Sequence, residues 1–315
     1  MKNWKMAAVL AAALSASGAC AQVAIPENPY ELGMGYCTAE PRNLEGALRM
    51  FELAAERGDA RALFELGRMY GEGTEVTPKN SDEAVKWYRL AAEGGHTGAM
   101  YQLALIFEEG SPEQAREWLR KAAEGGDAKA QTEMGLSCDF GWDVPEDKAE
   151  AARWYRAAAA QGVAAAQCGL GILLANGEGV PQDFDEAFTL LTAAAAQNYP
   201  AAMGALGLLY EEGLGTEKNV QTAAGLYRRG AELGDDSSAI SLAALYRDGR
   251  GVTRDPAESW KWLSLAALEA EEGDTDAADL LKELEAVPEL TAEAKAAACK
   301  EAEKLYKQIF GEEEH

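Results

Sequence analysis

A block of about 36 residues recurs along almost the whole 315-residue chain, and no other feature narrows its folding options as far. In the clearest copies a small-residue pair precedes Leu-Gly, an aromatic, a Gly-rich turn and an Ala-x-x-Trp segment ending in Ala-Ala. Ala60 and Ala62 lead to Leu66-Gly67 and Tyr70, then Gly71 and Gly73, then Ala84, Trp87-Tyr88 and Ala91-Ala92. The string returns as Ala202, Leu206-Gly207, Tyr210, Gly213, Gly215, Ala223, Tyr227 and Ala231. A fixed period of this size implies a stacked solenoid, in which no unit buries its apolar face alone and each needs its neighbours.

Taking the Leu-Gly glycine as a register mark gives Gly33, Gly67, Ala104, Gly135, Gly171, Gly207 and Ala243, seven units spaced by 34, 37, 31, 36, 36 and 36 residues. Each unit holds two helical stretches, A and B. In the first, Leu63, Leu66 and Tyr70 fall at i, i+3 and i+7, an amphipathic stripe. Glycine inside a helix costs ~1 kcal/mol against alanine, so its recurrence predicts close passage of another backbone. Alanine in two copies fits the same reading. The B helix carries one bulky register: Met50, Trp87, Trp118, Trp154, Leu190, Leu226 and Trp262. A position that accepts Trp, Leu or Met alike is expected to fill the core rather than to stack sugars or bases.

The joints follow helix-boundary chemistry. Ser111-Pro112-Glu113-Gln114 reads as a capping box with proline at the first helical position, and Asp255-Pro256-Ala257-Glu258 as an Asp cap. Gly177 to Pro181 and Gly249 to Val252 supply turn residues able to take positive φ. No run alternates as a strand would, so the expected chain is all helical. The first unit's A helix is abbreviated (Pro29 to Tyr36). Asp276 to Val287 reads as a polar-faced helix, and Thr291 as the cap of a last helix running to about Phe310.

Lys2 and Lys5 precede an apolar stretch from Met6 to about Ala16 and then Ala19-Cys20-Ala21, the pattern of a cleavable export signal. That stretch is shorter than the ~20 residues a membrane-spanning helix needs, and no later segment is apolar enough to span. Cleavage after Ala21 and a periplasmic or secreted bacterial product are expected. The alternative is a lipid anchor on Cys20, against which Ser17 stands three residues earlier where such signals prefer leucine. The expected organisation is a signal peptide at 1–21, a solenoid at 22–272, capping helices at 273–310 and an acidic tail at 311–315. The formal charge is −24, and loss of Lys2 and Lys5 with the signal makes it −26. Such a surface repels phosphate backbones and anionic membranes, which argues against nucleic acid. Basic proteins or peptides, or divalent cations held weakly, suit it better, although charge also keeps an exported protein soluble.

The repeat resembles the Sel1-like family, relatives of tetratricopeptide repeats. The likeness rests on Gly58 to Ala62 (Gly-Asp-Ala-x-Ala), Leu66-Gly67-x-x-Tyr70, Gly177 to Val180 (Gly-x-Gly-Val) and Ala84-x-x-Trp87-Tyr88-x-x-Ala91-Ala92, and it covers roughly residues 28 to 272. The resemblance implies a right-handed α/α superhelical solenoid of about seven helix-turn-helix repeats, a concave groove lined by the A helices, and adaptor or scaffold work on protein partners. Some cysteine-rich relatives have been described as β-lactamases or penicillin binders, with disulfides at a regular eight-residue spacing that this chain lacks. Cys37, Cys138, Cys168 and Cys299 sit at unrelated registers. In an oxidising compartment they permit two disulfides in three pairings, or remain thiols.

Chemistry is hard to build here. The two histidines are His96, in a turn where other copies carry Asp, and His315 at the end, so neither a Ser/His/Asp set nor a histidine zinc site is supported. Neither Ser-x-x-Lys with Lys-Thr-Gly, nor a phosphate loop, nor a calcium loop occurs. No cofactor is expected. Any function is placed on the groove, at positions three and two before the register residue: Phe64/Glu65, Tyr101/Gln102, Thr132/Glu133 and Cys168/Gly169. These change from copy to copy while the packing registers hold, either to suit a ligand or as ordinary solvated faces with Phe64 and Tyr101 partly packed. The fourth unit's turn adds Trp142, which anchors a partner if exposed; tucking over the helix ends is the favoured expectation. Two alternatives to a binding module are a β-lactamase-like or penicillin-binding cell-wall hydrolase and a purely oligomerising scaffold.

Overall fold

A computed structural model of the chain describes residues 26–142, 144–269, 276–285 and 287–311. The expected signal peptide with Cys20, residues 273–275 and residues 312–315 lie outside them. Among the described residues there are 16 α-helices and no strand, and none of the helices is long and apolar enough to cross a membrane. Seven hairpins follow one another. They are α1 (Pro29–Thr38) with α2 (Leu44–Glu56), α3 (Ala60–Glu72) with α4 (Ser81–Glu93), α5 (Thr97–Phe107) with α6 (Pro112–Glu124), and α7 (Ala128–Phe140) with α8 (Lys148–Ala159). Then come α9 (Ala164–Asn176) with α10 (Phe184–Ala196), α11 (Pro200–Glu212) with α12 (Val220–Glu232), and α13 (Asp236–Asp248) with α14 (Pro256–Glu269), before α15 (Asp276–Glu285) and α16 (Ala292–Phe310). The chain divides into two compact units, Met1–Gln131 and Thr132–His315.

One hydrogen bond closes every hairpin. The residue that caps the B helix donates its own N–H to the A-helix carbonyl three residues past the register position. The pairs are Asn43 to Tyr36, Asn80 to Tyr70, Ser111 to Phe107, Asp147 to Cys138, Asp183 to Leu174, Asn219 to Tyr210 and Asp255 to Tyr246, at 2.7–3.0 Å. Most of these caps also accept from N–H groups that the helix leaves without an internal partner: Asn43 from Gly46, Asp183 from Glu186 and Asp255 from Glu258, for example. Ser111 is the exception. Pro112 follows it as expected, but the hydroxyl makes no capping bond. The Gln114 N–H it would accept from is already given to the Ser111 carbonyl at 2.9 Å, so the capping box does not form.

The core corrects one expectation and refines another. What crowds the register glycine is a ring or a branched side chain from the same unit's B helix, not a backbone. A Cβ on Gly67 would lie 2.5 Å from Tyr88, on Gly135 2.5 Å from Tyr155, on Gly207 2.6 Å from Tyr227 and on Gly33 2.7 Å from Phe51, while Gly171 meets Leu191. Ala104 and Ala243 occur in the two units that carry Leu119 and Leu263 in the ring's place. The B register that meets the glycine is therefore one residue later than the row of Trp, Leu and Met, and it is buried in every unit but the third, where Leu119 is half-buried. In that row Trp154 and Trp262 are buried, whereas Met50, Trp87, Trp118, Leu190 and Leu226 are half-buried. A helix turns ~100° per residue, so only one of two adjacent bulky side chains can point straight at the partner helix.

The buried tyrosines also need partners for their hydroxyls. Tyr155 donates to Asp139 at 3.1 Å and Tyr227 to Glu211 at 2.9 Å. Each carboxylate lies four residues past its register glycine and is buried. Each also holds a cation: Lys148 at 2.9 Å for Asp139, and Arg250 from the next unit at 2.6 Å for Glu211. At the C-terminal end, Ala298 and Ala302 of α16 join Leu263, Leu284 and Leu290 in one core. Thr291 caps α16 by accepting from Ala294 at 3.2 Å.

Candidate functional site

Of the sequence-derived candidates, Phe64, Glu65, Tyr101 and Gln102 lie in the unit Met1–Gln131, and Thr132, Glu133 and Trp142 in Thr132–His315. Phe64 is half-buried, 5.7 Å from the Tyr88 ring and stacked on His96 at 4.4 Å and 14°. It is a packing residue as much as a surface one, so Phe64→Ala would loosen the joint it shares with His96. Glu65 is only 8% exposed and accepts from Arg68 Nη2 at 2.7 Å and Nε at 3.0 Å. An ion pair of that kind leaves little of the carboxylate for a ligand. Tyr101, Gln102 and Glu133 are half-buried, whereas Thr132 and Cys168 are buried.

His96 caps α5 with its ring. Nδ1 accepts from the Ala99 N–H at 3.2 Å, which requires the neutral imidazole with its proton on Nε2. Burial pushes its pKa down, opposed by the carboxylates of Glu65, Asp127 and Asp59.

The register three before the glycine thus turns into the structure rather than toward solvent. The residue just after the register position is exposed in four repeats and half-buried in three, at Met34, Leu136 and Ala244. Leu105 on α5 is exposed in one unit, and Ile172 on α9 and Leu208 on α11 in the other, Leu208 to 51%. Arg68 holds the same place on α3. The signal was present in the sequence: this position shares a helical face with those seven before and four after it, opposite Leu63, Leu66 and Tyr70.

Trp142 does not tuck over the helix ends. It is 67% exposed and lies on Phe140, itself 56% exposed, with ring centroids 5.1 Å apart and planes at 15°. Lys148 Nζ sits 5.8 Å from the Phe140 centroid. In the later units the equivalent turn is seated by its second glycine. A Cβ on Gly179 would overlap the Lys148 carbonyl carbon, one on Gly215 the Phe184 carbonyl oxygen, and one on Gly251 would come within 2.8 Å of Val220. The fourth unit has Trp142-Asp143 where these have Glu178-Gly179, Leu214-Gly215 and Arg250-Gly251.

Among the described residues the four cysteines, Cys37, Cys138, Cys168 and Cys299, are free thiols. Cys168 is buried and its pKa is pushed up to about 12 by that burial, which leaves it protonated and poorly nucleophilic at neutral pH. Ser238 and Ser259 have hydroxyls without hydrogen-bond partners, but both are buried beyond reach of a substrate. Among the described residues no group of three His, Cys, Asp or Glu side chains is placed to hold a metal.

Repeated helical hairpins sharing one core register define an α/α solenoid. The chain belongs to the Sel1 repeat family, whose model matches seven times, at residues 19–59, 60–96, 97–127, 128–163, 164–199, 200–235 and 237–270. Two solved structures are similar. A protective antigen of uropathogenic Escherichia coli displaying the same repeat fold is 30% identical with a TM-score of 0.72, over 89% of this chain and 60% of that one. The chain therefore spans about three fifths of that protein's length. A Sel1 repeat protein from Oxalobacter formigenes is 27% identical with a TM-score of 0.62, over 79% of this chain and 100% of that one. No curated protein matches. Sel1 repeats generally serve as protein-interaction modules, typically without catalysis.

Proposed function

We propose that the chain is an exported, non-enzymatic binding module that holds a protein or peptide against the solvent-facing stripe of its A helices. The observation that carries this reading is a pair of large apolar side chains left in water at one register of two successive A helices of the second compact unit, Ile172 on α9 and Leu208 on α11; in the first compact unit Leu105 is exposed at the same register. Scattered exposed apolar residues need no explanation, but the same register exposed on the neighbouring helices α9 and α11 marks a contact surface. The family's general role supports the class of partner, and the charge of −24 favours a basic one.

The test is photo-crosslinking in the native cell envelope, with p-benzoylphenylalanine placed at Leu208, at Leu105 or, as a control, at Thr192 on the exposed side of a B helix. Discrete adducts with another protein at the first two positions and none at the third are expected. Adducts at all three alike would remove the stripe, and self-adducts alone would make the chain an oligomerising scaffold. Export rests on the N-terminal pattern from Lys2 to Ala21. Intact mass should show a mature chain beginning at Gln22, whereas a lipid-modified Cys20 would replace the soluble product with an anchored one.

A further inference from the structure

We infer that the Phe140–Trp142 stack is a docking point for an arginine-bearing segment of a partner protein; this rests on the binding-module reading above. Two aromatic rings stacked in parallel and mostly exposed bury little in the fold, so packing does not account for them. The turn that carries them has also lost the glycine by which the later turns are seated, at Gly179, Gly215 and Gly251. Phe140 already has Lys148 near its ring. Among the described residues no cation is placed over the Trp142 ring, which is 67% exposed.

The charge around the stack selects what can lie on that ring. From residue 139 to residue 150 there are five Asp and Glu against one Lys. That cation is taken, Lys148 by Asp139 and Glu146, and Arg153 one turn further on is taken by Glu150. Glu146, Asp147 and Glu150 follow Trp142 within eight residues. A guanidinium lies flat on an indole while its N–H fork, still free at the edge, reaches a carboxylate. An ammonium ion offers a point charge without that planar stack. Acidic or neutral apolar segments gain nothing from the surrounding carboxylates.

The experiment uses fluorescence anisotropy with the full mature chain and short labelled Gly-Ser peptides carrying paired arginines, paired lysines or paired citrullines. Citrulline keeps the shape of arginine and removes its charge. The arginine peptide should bind most tightly and the citrulline peptide least. Trp142→Ala should weaken the arginine peptide roughly ten-fold, and Trp142→Phe should restore most of that loss. Arginine binding unchanged in Trp142→Ala would overturn the inference, because diffuse negative charge would then suffice. So would equal binding of arginine and citrulline peptides. Absence of peptide binding while Leu208 still crosslinks a partner would sink this inference and leave the binding-module reading standing. Absence of both would sink the two together.

Discussion

The fourth and sixth repeats solve the same packing problem and then part at the turn. In both, a glycine on the A helix receives a tyrosine ring from the B helix, at 2.5 Å for a Cβ on Gly135 and 2.6 Å on Gly207. In both, the tyrosine hydroxyl ends on a buried carboxylate that also holds a cation, Asp139 with Lys148 and Glu211 with Arg250. Beyond that point the sixth repeat folds its turn down through Gly213 and Gly215, at the left-handed φ values of 76° and 64°, whereas the fourth follows Gly141 with an exposed tryptophan. The interior of a repeat is set by a pair of complementary shapes, and the turn is where its sequence is free to do something else.

Exchanging the turn chemistry should produce the largest effect. Gly215→Asp places a side chain where a Cβ overlaps the Phe184 carbonyl, at a positive φ that costs ~1–2 kcal/mol by itself, so a loss of about 3 kcal/mol is expected in urea unfolding. Stability within ~0.5 kcal/mol of the parent would show that the turn is not seated by that glycine. Next, Gly135→Ala and Gly207→Ala should each cost about 2 kcal/mol through the ring clash. Combining Gly207→Ala with Tyr227→Leu imitates the Ala243 and Leu263 pairing, and should cost less than the two single changes summed. Strict additivity would mean that the ring and the glycine do not meet.

A smaller effect concerns the caps, where His96 stands in the place that Asp235 holds before α13. The folded-state pKa of His96 is lowered, so the unfolded chain takes up the proton first. The cap's contribution is complete above the unfolded value near 6.5 and is lost as pH falls through the folded one. Cooling of the melting temperature between about pH 7 and about pH 5 should therefore be reduced in His96→Asp, by an amount matching a cap worth ~1 kcal/mol. Identical pH profiles would remove His96 from the account. Smallest of all, Trp142→Ala should change stability by no more than ~0.5 kcal/mol; a larger loss would make the stack structural.

Much of this fold could be read in advance. Seven register marks, the cap at Asp255, the cap at Thr291 and the left-handed glycines at Gly177 and Gly249 all follow from local rules that need no partner helix. What lay beyond reach depended on which way a helix is rolled against its neighbour. Periodicity located Gly67 but could not say that Tyr88, rather than a backbone, fills the space above it. It placed Phe64 and Glu65 on a face, yet that face turns toward His96 and Arg68 instead of water. For the same reason periodicity favours a register three or four residues before the exposed positions, which are Leu105 in one unit and Ile172 and Leu208 in the other. Trp142 differs for another reason: Glu178 and Leu214, its equivalents in later repeats, suggest nothing about how a turn without the second glycine will lie.

The single bond that shuts each hairpin, from the B-helix cap to the A-helix carbonyl, is indifferent to how much chain runs between its ends. Ser111 and Phe107 are joined across four residues and Asn80 and Tyr70 across ten. Inserted or deleted segments at these sites leave the two cylinders in alignment, so the protein can lengthen, shorten or redecorate that rim one hairpin at a time while its interior stays the same.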